Sequence, residues 1–222
     1  MFFSLDIWKF FPLLVLASYF FGSLNFSIIF SKAINKNDIR NLGSKNAGFS
    51  NVLRSIGVLP AVLTFVGDFA KSIFVIYFGK LILERLEISA KEMPAALYIL
   101  GLFCFLGHVY PCFFGFKGGK GILAGWAMNL LIDWRVFAAS ILIFLIVLFV
   151  FKMISLASIV SAVCYPIFVF TSAFFYGSDF ALHILGIVSI LSLITIFKHK
   201  SNFKRIISGT ESKVDVRKKQ TL

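Results

Sequence analysis

Val136-Phe137-Ala138-Ala139-Ser140-Ile141-Leu142-Ile143-Phe144-Leu145-Ile146-Val147-Leu148-Phe149-Val150-Phe151-Lys152 runs sixteen residues before its first charge, with Ser140 its one polar side chain. A helix that crosses a bilayer needs about 20 mostly apolar residues, with a lower limit near 17. With its terminal Lys152 the run reaches that lower limit. Similar runs lie near residues 10–31, 57–82, 94–113, 121–133, 157–176 and 181–197. The expectation is an all-α integral membrane protein, a bundle of seven transmembrane helices in one domain spanning 1–222. The fourth run, from Gly121 to Asp133, holds about a dozen residues and predicts a short span, tilted or re-entrant, which is tolerated where protein rather than lipid covers the backbone.

Composition agrees. Of 222 residues 59% are hydrophobic, 29 are Phe, and the mean hydropathy is +0.92, more apolar surface than one soluble core of this size hides. Charged residues make up 14% of the chain, yet the net charge is +12. A basic surplus interrupted by long apolar runs fits an anionic membrane face or an anionic substrate better than nucleic acid. Cys104, Cys112 and Cys164 lie in apolar segments without CxxC spacing and read as packing thiols. Met1 to Phe21 carries Asp6 and no small-x-small cleavage site, so it reads as the start of the first span rather than as a signal peptide.

Basic residues orient the bundle, because cytoplasmic loops collect Lys and Arg. Placing Lys32 to Arg54, Lys117 to Lys120, Lys152 and the tail after Phe197 on one side gathers 16 of the 22 basic residues there. The other side is nearly neutral. Seven spans with the N-terminus outside and the C-terminus cytoplasmic satisfy this distribution.

Glycines and polar residues gather in four segments on the predicted cytoplasmic side. The first, Asp38 to Asn51, contains Gly43, Ser44, Lys45, Asn46, Gly48 and Asn51, with Arg54 one turn later. Many donors without compensating acids favour an anion, although an ordinary solvated loop fits the same composition. The second, Gly115-Phe116-Lys117-Gly118-Gly119-Lys120-Gly121, stands at a helix start, where free N–H groups, the helix dipole and a lysine can converge on phosphate. It lacks Walker A spacing. In the third, Ser155 and Ser158 serve either as donors or as helix caps. In the fourth, His199, Asn202 and Arg205 share a helical face, suited to a phosphate or to anionic lipid.

Two further features stand apart. His108 ends the third run, where an interfacial role and a catalytic one both fit. Asp68 and Lys71 lie within the second run at i, i+3, where opposite charges must be paired or face a polar cavity.

Together these segments resemble the acyl-phosphate:glycerol-3-phosphate acyltransferases, the PlsY family. Gly107-His108-Val109-Tyr110-Pro111-Cys112-Phe113-Phe114-Gly115-Phe116-Lys117-Gly118-Gly119-Lys120-Gly121 follows the family's second motif over fifteen positions. Gly43 to Arg54 is similar to its first, Gly-Ser-Gly-Asn-x-Gly-x-Thr-Asn-x-x-Arg. Ser155-Leu156-Ala157-Ser158 is similar to its third, and Asn202 to Glu211 to its terminal Asn-x-x-Arg-x-x-x-Gly-Thr-Glu. Departures are Lys45 for Gly, Phe49 and Ser50 for a small residue and Thr, Ser72 for Gly and Ala124 for Thr.

The resemblance implies transfer of a fatty acyl group from acyl phosphate to the 1-hydroxyl of glycerol 3-phosphate, giving lysophosphatidate and phosphate, the first step of phospholipid synthesis in a bacterial inner membrane. No metal or other cofactor is implied. Carried over, Lys120, His199 and Asn202 form the catalytic set. Ser44, Asn46, Arg54, His108, Gly118, Gly119, Gly121, Ser155, Ser158 and Arg205 bind substrate and phosphate, and Asp68, Lys71 and Glu211 support the site. The expected partners are glycerol 3-phosphate, a fatty acyl phosphate and membrane lipid. The alternatives are a diverged, inactive paralogue and a membrane protein that binds or carries anions. No Ser or Cys is visibly activated by a base and an orienting acid, which favours direct attack over an acyl-enzyme.

Overall fold

The computed structural model describes residues 5–175, 177 and 179–214. Met1 to Ser4 and the basic Arg217, Lys218 and Lys219 lie outside them. The described chain is helical throughout: α1 (Leu5–Gly22), α2 (Phe26–Asn35), α3 (Phe49–Ser55), α4 (Val58–Arg85), α5 (Met93–Val109), α6 (Ile122–Ile132), α7 (Trp134–Phe151), α8 (Ile154–Phe175), α9 (Ala181–Lys198) and α10 (Lys200–Ile207). Among the described residues six segments are long and apolar enough to cross a membrane. At the fourth expected position stands the 11-residue α6, about 16 Å long against a hydrocarbon core of about 30 Å.

The first expected span, 10–31, is not one continuous helix. The chain unwinds over Ser23 to Asn25 between α1 and α2, and several of the backbone groups freed there are satisfied from α4 and locally. The Lys71 ammonium donates to the Leu24 carbonyl at 2.7 Å, and the Phe26 amide donates to Asp68 Oδ1 at 3.4 Å. Asn25 caps α2 by accepting from the Ile28 amide at 3.2 Å. Hydropathy sees only a continuous apolar run, so it misses a break held by charges 42 to 47 residues away. Lys71 also bonds Asp68 at 2.8 Å, so each member of this buried pair compensates the other as well as the backbone.

α5 is the central helix, flanked by α1, α4, α6 and α9, while α8 packs between α7 and α9. Leu100, Cys104, Phe105 and Val109 of α5 are fully buried, and outward-facing residues such as Phe149, Leu182 and Leu193 remain exposed for lipid. The short α6 is tied into the core by Asn129, whose carboxamide accepts from Tyr98 at 3.0 Å and donates to Tyr165 at 2.8 Å. The loops after α2, α5, α7 and α9 meet at one end of the bundle. At the opposite end Lys91 pairs with Asp179, and Asp133 is bonded by Ser172.

Candidate active site

The four loops enclose one cavity of about 810 Å³. Its first wall is the segment between α2 and α3, organised by buried Asn51. The Asn51 carboxamide nitrogen lies 3.0 to 3.1 Å from the carbonyls of Ile39, Leu42 and Asn46, and its oxygen accepts from the Ser44 amide at 2.9 Å. One side chain thus fixes the loop carrying Ser44 and Asn46, both of which line the cavity. Arg40 clamps this loop to the next. It bonds Asp38 through two nitrogens and donates to the carbonyls of Phe114 and Lys117. That bidentate contact draws the Asp38 carboxyl down to about 2. Arg54 then projects from α3 into the cavity, with no protein partner among the described residues.

The second wall is the glycine-rich segment before α6, built differently from a phosphate cradle. The Gly118 amide donates to Val109 and the Gly119 amide to His108, at 3.2 and 3.1 Å, so neither N–H is offered to a ligand and neither residue lines the cavity. Their service is close packing: a Cβ on Gly119 would overlap the His108 ring. Gly121, at φ +88°, caps α6 and does line the cavity. This corrects the expectation that the amides from Gly118 onward serve as phosphate donors together.

The turn so made delivers Lys120 into the cavity, where its ammonium donates to the Asn202 carboxamide oxygen. Burial pushes Lys120 down to about 8, with the Glu211 carboxylate resisting and the Arg205 and Arg54 charges adding to the fall.

The tail closes the site. Asn202 donates to Glu211 Oε1 at 2.9 Å, and Arg205 Nε donates to Glu211 Oε2 at 2.7 Å. Burial works to raise the Glu211 carboxyl, but the bonds from Asn202 and Arg205 and the nearby Ser155 hydroxyl outweigh it and hold the group below its ordinary value. Arg205 is therefore engaged by Glu211 and does not line the cavity, unlike its expected place among the substrate-binding groups. His199 Nδ1 lies 2.8 Å from the Thr195 carbonyl, which can only accept. The proton therefore sits on Nδ1, and Nε2 keeps its lone pair. Burial, then the Lys120 charge, lowers His199 to about 4, so the ring is neutral at pH 7.

Ser155 and Ser158, in the first turns of α8, complete the polar end. The buried Ser155 hydroxyl has no hydrogen-bond partner: it lies near Glu211 without making bonding geometry. Asp68 of α4 and His108 of α5 also line the cavity. His108 Nδ1 is 3.1 Å from the Lys71 ammonium, and Lys71 itself stays behind the wall.

Beside the polar end, the cavity continues into an apolar limb lined by Phe49, Phe65, Trp126, Phe144 and Leu148. Most of the expected site residues thus share one chamber that joins a cation-rich, donor-rich end to an aromatic groove. Lys45 does not line it. Its backbone sits at φ +58°, which explains why a glycine suits that position, and its side chain is exposed. Asn51 and Arg40 were not among the expected site residues. The Asn that the first motif places three residues before its Arg was the available signal for Asn51. Asp38, two residues away, is a local partner of Arg40, but nothing local marks its clamp on the next loop, where the carbonyls it reaches lie 74 and 77 residues away.

The chain is similar to known proteins over most of its length. Residues 12–209 match the family model described as glycerol-3-phosphate acyltransferase. A glycerol-3-phosphate acyltransferase of Finegoldia magna is 38% identical over 205 residues, covering 91% of this chain and 95% of its own length. One from Prochlorococcus marinus (strain MIT 9215) is 36% identical over 203 residues, covering 91% and 97%. The crystal structure of PlsY (YgiH), an integral membrane glycerol 3-phosphate acyltransferase, in its glycerol 3-phosphate form superposes with a TM-score of 0.78 at 30% identity, covering 92% of this chain and 96% of that one. Its lysophosphatidic acid form gives 0.75 at 29% identity. The chain belongs to the glycerol-3-phosphate acyltransferase family.

Proposed function

We propose that this protein transfers a fatty acyl group from an acyl phosphate to the 1-hydroxyl of glycerol 3-phosphate. The observation that carries this reading is the single chamber in which Arg54, Lys120, Ser155, His199 and Asn202 face an aromatic groove. Phosphates suit the first end and an acyl chain the second.

Arg54 and the cavity-lining Ser44 and Asn46 hold one phosphate, and Lys120 with Ser155 receives the phosphate that becomes the leaving group. The orphan Ser155 hydroxyl is suited to an anionic oxygen, which supplies the acceptor it lacks. His199 Nε2 and Asn202 orient the glycerol hydroxyl against the acyl carbonyl carbon. The new C–O ester bond forms as the carbonyl carbon–phosphate oxygen bond breaks, with the electron pair leaving on phosphate. A ring held near 4 is a weak base at neutral pH, so the hydroxyl proton passes to a phosphate oxygen, whose second pKa is about 6. Catalysis then comes from proximity of two bound anions and from the Lys120 and Arg54 charges facing the departing phosphate. Among the described residues no cavity serine is hydrogen-bonded to a histidine, which fits direct attack rather than an acyl-enzyme.

The basic loops around the site and the nearly neutral opposite end support a cytoplasmic site in a bacterial inner membrane. Seven crossings follow, with the N-terminus outside, the C-terminus cytoplasmic and α6 as the short fourth. The distinguishing experiment presents lipid-reconstituted protein and labelled glycerol 3-phosphate with palmitoyl phosphate or palmitoyl-coenzyme A. Lysophosphatidate is expected from the first donor alone. Equal yield from the thioester would overturn the assignment of donor.

A further inference from the structure

A train of aromatic rings follows the apolar limb of the cavity to its deep end. Phe49 of α3 meets Phe65 of α4 edge to face at 5.9 Å, Phe65 stacks on Phe69 at 5.6 Å, and Phe69 meets Phe137 of α7 edge to face at 6.4 Å. Phe49 and Phe65 line the chamber on one side and Leu148 and Phe144 on the other, but neither Phe69 nor Phe137 does. α4 leaves the polar end and α7 returns to it. Phe69 is therefore one turn deeper than Phe65, and Phe137 about two turns deeper than Phe144. The third wall is α6, where Trp126 meets Phe144 edge to face at 4.7 Å. The lining thus ends just above the place where one ring pair bridges α4 and α7.

We propose that the Phe69–Phe137 pair is the stop that sets which acyl-chain lengths the enzyme uses. The inference rests on the acyl-transfer reading above and adds a determinant of donor specificity. The reacting carbonyl is held beside Lys120 and Ser155, so the methyl end of each donor reaches a depth fixed by its own length. From Leu148 at the polar end to Phe137 is eleven residues of helix, about 16 Å. A chain that falls short of the stop leaves apolar wall uncovered and forgoes the burial of each missing methylene. One that overreaches must displace two packed rings, whose edge-to-face contact resists it. Removing either ring extends the groove between α4 and α7, because the partner ring alone no longer spans the gap.

The test measures kcat/KM for lauroyl, myristoyl, palmitoyl and stearoyl phosphate in phosphatidylcholine nanodiscs, for the parent protein and for Phe69→Ala, Phe137→Ala and Phe174→Ala. Phe174 is a lipid-facing ring of α8 outside the chamber and serves as the control. The readout is the stearoyl-to-myristoyl ratio within each protein, which does not depend on how much of a preparation is folded. It is expected to rise about tenfold in both groove variants, the discrimination that about two further buried methylenes supply, and to stay at the parent value in the control. An unchanged ratio in Phe69→Ala and Phe137→Ala would overturn the stop and mean that the chain leaves between α4 and α7 into lipid. Failure of the parent to turn over any acyl phosphate would instead remove the acyl-transfer reading, and the stop with it.

Discussion

The Lys120 ammonium, set just ahead of α6, donates to the Asn202 carboxamide oxygen of α10, 82 residues further along the chain. Asn202 passes the contact to Glu211, which is held in turn by Arg205. The cation that faces phosphate is therefore positioned by the tail. A lysine buried beside two arginines loses its proton at lower pH than an exposed one. In the free enzyme kcat/KM for glycerol 3-phosphate should be level between about pH 6, where the accepting phosphate becomes protonated, and pH 8, and fall as pH rises through about 8. Lys120→Arg, charged throughout this range, should lose activity to altered geometry yet remove that basic limb.

Glu211 raises the Lys120 pKa, so neutralising it has a signed consequence. Glu211→Gln should move the basic limb toward neutral pH and lower kcat/KM about tenfold, because the hydrogen bond from Arg205 loses its anionic acceptor and the Asn202 support weakens. A pH–rate profile of the variant checks both the direction and the size.

The Asp68–Lys71 pair holds the break between α1 and α2, and both side chains are 1% exposed. Asp68→Asn leaves the Lys71 charge without its carboxylate and should destabilise the protein by about 3 to 5 kcal/mol. Thermal unfolding in detergent measures this. Adding Lys71→Met to Asp68→Asn should recover part of the loss, since the stranded charge is removed.

Lys45 adopts φ +58°, a conformation that a residue with a Cβ holds at a cost of about 1 kcal/mol. Lys45→Gly should relieve that strain, offset partly by the greater freedom of glycine in the unfolded chain. Its kinetic constants should match the parent's, because the Lys45 side chain is exposed and outside the chamber. Matched unfolding and kinetic measurements test both halves.

Much of this was legible in the sequence because hydropathy and charge report on segments, and most of the segments here are simple. The run ending at Lys152 is a helix of the expected extent, and Ser44, Arg54, Lys120, Ser155, His199 and Asn202, drawn from four separate motifs, line one chamber. What escaped depends on partners far away in sequence. The break at Ser23 to Asn25 exists because Lys71 and Asp68 satisfy its backbone. The amides of Gly118 and Gly119 are spent on Val109 and His108, which spacing alone does not reveal. Arg205 faces Glu211 rather than the cavity because the chain turns back at Gly209, at φ +71°.

The most direct measurement follows phosphate release and lysophosphatidate formation by purified, lipid-reconstituted protein supplied with palmitoyl phosphate and glycerol 3-phosphate, beside Lys120→Ala. Equal amounts of the two products are expected from the parent, and a rate lower by about 100- to 1,000-fold from the variant, the usual loss when a group that stabilises developing charge is removed. A parent that releases no phosphate, or a variant that matches it, would contradict the assigned chemistry.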